Sequence, residues 1–137
     1  LYFFEKHWEE LLKCSRRTHR QMEQWANRYG YKDSPMEILD TAKKGFRGFR
    51  YTAVNLTNSA TIEFRLFHGT LRYNSFVAAL QLIDRICAVA TCLNDDELKQ
   101  MSWSTFVAGC GHYSELVQYL KERRIYINEP VTAEAEV

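Results

Sequence analysis

The sequence predicts an α+β fold, mostly helical, packed on one antiparallel β-hairpin. Three observations carry this. Apolar residues recur at steps of three and four both early and late in the chain, helix-start signals precede several of those runs, and residues 50–67 are instead rich in β-branched and aromatic residues. At 137 residues, 46% hydrophobic and 26% charged, the chain suits one domain with a substantial core. That composition excludes disordered, collagen-like and disulfide-scaffold classes.

The elements follow in order. Phe4, Trp8, Leu11 and Leu12 lie at helical spacing and predict a helix over residues 1–13. Thr18 with Gln21 three residues on is a capping box, opening a helix through Met22, Trp25 and Ala26 that stops near Gly30. Ser34-Pro35-Met36-Glu37 supplies an N-cap serine, a first-turn proline and an acidic third position, for a short helix ending near Lys44 with Gly45 after it. Residues 50–57 and 61–67 then read as two strands around the turn Thr57-Asn58-Ser59-Ala60. Asn74 is expected to cap a long helix over residues 75–93, with Phe76, Leu80, Ile83, Ile86, Cys87 and Ala90 as its buried stripe. Two further helices are expected near 102–109 and 113–123. Residues 1–128 are read as part of one domain and residues 129–137 as a frayed tail.

Charge is unevenly spread. Residues 1–50 hold 11 Lys and Arg against 7 Asp and Glu, while residues 51–137 hold 7 against 10. The near-neutral total of +1 therefore hides a basic first third, densest at Lys13–Arg20 and Lys43–Arg50. Such clusters attract phosphate, though each is commonly just a solvated face. No uninterrupted apolar run reaches the ~18 residues of a membrane span. The stretch Phe76 to Leu93 is broken by Gln81, Asp84 and Arg85. Four cysteines without a CxxC pair suit reduced thiols, so a soluble cytoplasmic protein is expected. The start at Leu1, without Met or signal-peptide pattern, suggests a piece of a longer chain.

The hairpin carries the candidate chemistry. Side chains alternate across a strand, so Ile62, Phe64 and Leu66 share one face and Glu63, Arg65 and Phe67 the other. Matching like faces on the partner strand places Asn55 opposite Glu63, which requires a three-residue turn or a bulge. Glu63 and Arg65 would then lie about 7 Å apart on one polar face. A carboxylate there can ligate Mg²⁺ and a guanidinium can grip phosphate or carboxylate, with Asn55 as an orienting amide. The plain alternative is a solvent-facing sheet with an ion pair.

Tyr51-Thr52-Ala53-Val54-Asn55-Leu56 followed by Thr61-Ile62-Glu63-Phe64-Arg65-Leu66-Phe67-His68-Gly69-Thr70-Leu71 resembles the amidoligase family of bacteria and their phages. Tyr2-Phe3-Phe4 and Cys14-Ser15-Arg16-Arg17 add to the resemblance, which covers residues 1–93 and corresponds to the C-terminal part of such proteins. It implies a glutamine synthetase-like curved sheet and an ATP- and Mg²⁺-dependent ligase. Such an enzyme joins a small-molecule or peptide carboxylate to an amine through an acyl phosphate. It implies Glu63 as a metal ligand and Arg65 as a phosphate or carboxylate contact, supported by Arg50 and Asn55. Arg47 and one of Arg16 and Arg17, the latter named as Arg17, are further phosphate contacts suggested by the local basic field. No earlier Glu-x-Glu strand is present, so residues 1–137 alone are expected to be inactive.

The competing reading is a non-enzymatic helical module docking nucleic acid through its basic first third, with Gly45-Phe46-Arg47-Gly48-Phe49-Arg50 as a stacking and charge motif. Other residues favour structural roles. His68 falls on the apolar side by parity, Cys87 and Cys92 read as small core hydrophobes, and Trp8, Trp25 and Trp103 as core anchors. His7, Cys14 and His19, and likewise Cys110-Gly111-His112, lack metal-ligand spacing.

Overall fold

The computed structural model describes residues 1–44 and 51–126. It is mostly helical with a two-stranded antiparallel sheet, as an α+β chain should be. The chain divides into two compact units, Leu1–Gly69 and Thr70–Val137.

The first unit opens with α1 (Tyr2–Lys6) and α2 (Trp8–Ser15) where one helix was expected. His7 leaves helical geometry at φ −107° and ψ 32°, yet its N–H still bonds the Phe3 carbonyl and its carbonyl accepts from Leu11. The break is therefore a bend rather than a loop. The apolar set it carries is buried as expected: Phe4, Trp8, Leu11 and Leu12, joined by Tyr2, Phe3 and Cys14. The capping box of α3 (His19–Trp25) forms in full, Thr18 Oγ1 accepting from the Gln21 N–H and Gln21 Oε1 from the Thr18 N–H. That helix ends at Trp25, earlier than the glycine suggested, because residues 27–29 bond elsewhere. Asn27 forms a parallel bridge with Thr52, donating to the Tyr51 carbonyl and accepting from the Ala53 N–H.

Helix α4 (Pro35–Lys43) begins at its proline as expected. Ser34 is the N-cap by position, but its side chain makes no capping bond; the Glu37 N–H donates to the Ser34 carbonyl instead, at 3.2 Å. Gly45, the expected terminator, lies outside the described residues. Strands β1 (Val54–Asn55) and β2 (Glu63–Phe64) are only two residues each, far shorter than the sequence pattern suggested. Residues 56–62 separate them, so the connection is longer than a tight turn or a bulge. The expected apolar face is also broken, with Ile62 exposed outside the strand while Leu66 and Val54 are buried.

The second unit contains α5 (Tyr73–Cys92), α6 (Asp95–Gln100), α7 (Trp103–Ala108) and α8 (Ser114–Glu122). Helix α5 starts before Asn74, which lies inside it, with Arg72 as the N-cap. Its buried stripe is Ser75, Ala78, Leu82, Ile86 and Val89. The stripe expected from the sequence is mostly outward, because this helix is apolar over a wide arc and periodicity alone cannot choose which part is covered. Leu98 of α6, Trp103, Phe106 and Val107 of α7, and Leu116, Tyr119 and Leu120 of α8 are buried as well. Gln81 fixes α5 to α8, its Oε1 accepting from the Leu116 N–H and its Nε2 donating to Glu115. Helix α6 was unanticipated, although Asn94 and Glu97 form a full capping box. The tail at 129–137 lies outside the described residues.

Candidate functional site

Asn55 sits directly opposite Glu63, the pairing expected from matching polar with polar. Arg65, two residues beyond Glu63, keeps the same side of the chain, and its Nη1 is 3.1 Å from Glu63 Oε1. Its Nε donates to the Trp25 carbonyl at 3.3 Å, and its guanidinium carbon lies 4.9 Å from the centre of the Tyr51 ring. The Trp25 and Tyr51 rings meet edge to face at 5.6 Å. Arg65 is thus held among the Tyr51 ring, the Trp25 backbone carbonyl and a carboxylate, with its side chain 22% exposed and that of Glu63 36%. An ion pair at this exposure contributes at most about 1 kcal/mol. Its geometry nevertheless keeps a carboxylate and a guanidinium within one contact of each other at the surface.

Asn55 is buried, and its Oδ1 accepts from the Thr57 N–H at 3.1 Å. That bond organises the start of the 56–62 connection.

Arg17 is placed differently from a phosphate contact reaching outward. Its Nε donates to the Leu66 carbonyl at 3.1 Å, and its Nη2 to those of Phe67 at 3.1 Å and Arg65 at 3.4 Å. Burial, then the neighbouring Arg65 and Arg16, hold its pKa below the usual guanidinium value. Arg16 adopts the left-handed conformation at φ 60° and donates to the His68 carbonyl. His68 returns the contact through its N–H to the Ser15 carbonyl at 2.9 Å. The two adjacent arginines therefore clamp the backbone that leaves β2, and Ser15 Oγ supports them by accepting from the Arg17 N–H. Arg47 and Arg50 lie outside the described residues.

No group of three or more His, Cys, Asp or Glu side chains among the described residues could hold a metal ion. Mg²⁺ takes near-octahedral oxygen coordination and is commonly bound through carboxylates together with phosphates. Glu63 by itself does not constitute that site.

A second polar centre escaped the sequence reading. Glu5, 4% exposed, accepts from Arg28 Nε at 2.8 Å and from the Tyr29 N–H at 2.7 Å. Arg28 also lies 5.1 Å from the Trp8 ring centre. Together with Trp8, Glu9, His19, Met22, Glu23 and Asn27 it lines a cleft of about 190 Å³. Nothing local marks this pair, since 23 residues separate the partners. Tyr29 extends the same network, its hydroxyl donating to the Val54 carbonyl at 2.6 Å.

Set against models of protein families, against curated proteins and against solved structures, the chain matches none.

Proposed function

We propose that this chain is the C-terminal part of an ATP-dependent carboxylate–amine ligase with a glutamine synthetase-like sheet, to which the hairpin contributes one wall of the site. The observation that supports this reading is the register: Asn55 opposite Glu63, with Arg65 on the same side and 3.1 Å from the carboxylate. An ion pair of this kind is a sound resting state for a phosphate site. Arg65 can exchange Glu63 for a phosphate or acyl oxygen, and Glu63 can then turn to a cation. Trp25 and Tyr51 keep the guanidinium aimed while that exchange occurs. ATP would supply the activating phosphoryl group and Mg²⁺ its neutralising charge, with the remaining metal ligands coming from outside these residues. Arg17 acts in this reading as a positioning residue, fixing the carbonyls of Arg65, Leu66 and Phe67.

The nucleic-acid reading is weaker, because Arg16, Arg17 and Arg28 each donate to groups of the same unit. Calorimetric titration of Mg–ATP into the protein encoded by the complete reading frame tests the proposal. Glu63→Gln and Arg65→Lys should each weaken binding at least about ten-fold, equivalent to about 1.4 kcal/mol, with unchanged circular dichroism. Unaltered affinity in both variants overturns it.

A further inference from the structure

The cleft of about 190 Å³ beside Trp8 and Arg28 combines an apolar lining with charges of both signs. Trp8 and Met22, which supply its apolar part, are 7% and 2% exposed. Glu9 from α2 and Glu23 from α3 line it too, and neither forms a salt bridge among the described residues. Residues 1–50 hold 11 Lys and Arg against 7 Asp and Glu. In a region with cations in excess, two carboxylates on one cleft without such a partner leave a place for a cationic ligand group.

The same cleft has an anion-binding side. Arg28 uses Nε and Nη2 on Glu5, at 2.8 Å to Oε2 and 3.2 Å to the carbonyl. Its guanidinium carbon lies 5.1 Å from the centre of the Trp8 ring, so the group is held from two directions. A guanidinium carries five N–H donors. Nη1 of Arg28 makes no hydrogen bond among the described residues, and the side chain is 35% exposed. Those two donors remain for an acceptor from outside. Asn27, its Oδ1 engaged by the Arg28 N–H at 2.9 Å, adds its amide donors.

We propose that this cleft binds a free α-amino acid with an apolar side chain. The ammonium pairs with Glu9 and Glu23, and the carboxylate takes Arg28 Nη1 and the Asn27 amide. The side chain lies against Trp8 and Met22, so a few polar groups orient the ligand on an apolar lining. The size agrees. The volume equals about six water molecules at about 30 Å³ each, below the about 300–1,000 Å³ of pockets for larger ligands such as nucleotides. A simple amine would leave Arg28 Nη1 unused, and a simple acid would meet two carboxylates. A divalent cation is disfavoured, because Glu9, His19 and Glu23 do not gather as a metal site. The assignment stands apart from the ligase reading. Every residue it uses lies on α2, α3 or the segment after α3, and none belongs to the Glu63–Arg65 pair.

Equilibrium dialysis of the protein encoded by the complete reading frame against radiolabelled L-leucine tests this. Leucine should bind, while isopentylamine, which lacks its carboxylate, and isocaproate, which lacks its ammonium, should each compete at least about ten-fold less well than unlabelled leucine. Glu9→Gln and Glu23→Gln, both at exposed positions, should each weaken leucine binding at least about ten-fold, with unchanged circular dichroism. Failure of leucine, valine and methionine alike to bind at about 10 mM overturns the proposal. Equal competition by the amine or the acid also overturns it, since one charge then suffices. Unaltered leucine affinity in both Gln variants places the amino acid elsewhere in the protein and overturns it as well. Leucine binding without any affinity for Mg–ATP removes the ligase reading and leaves this one standing.

Discussion

Arg16 and Arg17 show how one residue type can serve backbone rather than ligand. A guanidinium offers five donors in a rigid fork, and Arg17 directs three contacts to consecutive carbonyls that leave a strand too short to satisfy them by pairing. Arg17→Lys should therefore destabilise the chain by roughly 1–3 kcal/mol, the cost of leaving partly buried acceptors unpaired, read as a lowered urea midpoint. His7 makes a second prediction at this scale. Burial first, and the neighbouring Lys6 second, push its pKa down to about 4 from 6.5. Between those values the unfolded chain binds a proton that the folded chain refuses, so stability rises with pH across that window and falls as pH drops below about 6.5. Going from pH 7.5 to 5.5 should cost about 1.4 kcal/mol from this group. Denaturant titrations should show that loss, and His7→Gln should flatten it. Glu5 supplies a third. Because its side chain is 2% exposed, Arg28→Met leaves a buried carboxylate with the Tyr29 N–H but no counter-charge, and should cost about 3 kcal/mol, the low end for a broken buried pair, as Arg28 is 35% exposed.

At the scale of elements, two residues per strand cannot hold a hairpin in water, and three or more strands or a covering helix are needed. Here docking replaces ladder bonds. Asn27 bridges to Thr52 on one side of β1, Phe4 stacks on Phe64 at 6.0 Å, and Leu66 is fully buried. Leu66→Ala should accordingly cost about 2–5 kcal/mol by cavity formation. Phe64→Ala should cost less than a fully buried phenylalanine would, since Phe64 is only half-buried. Thermal melts of the two variants give the order directly. The helices follow local rules more closely. Thr18 with Gln21 and Asn94 with Glu97 are both complete capping boxes, and either Thr18→Ala or Asn94→Ala should remove about 1 kcal/mol.

At the scale of the whole molecule, the proposed ligase predicts a negative result. The 137-residue chain should release no phosphate from ATP in the presence of carboxylates and amines, because its described residues gather no set of metal ligands. ATP-dependent amide formation by this chain alone would show that the site is complete without further strands. What could be read from the linear chain was local. Capping residues, the proline that opens α4, the polar match of Asn55 with Glu63 and the burial of Phe4, Trp8, Leu11 and Leu12 all depend on neighbours within a few positions or on strict alternation. What depended on distance could not be read so. The Glu5–Arg28 pair, the hold of Arg17 on the chain after Arg65, and the outward turn of Phe76 and Leu80 were decided by which surfaces met in three dimensions. Local hydrogen bonds and periodicity fix an element and its possible faces. Only the competition among those faces for the limited area inside a core determines which one is covered.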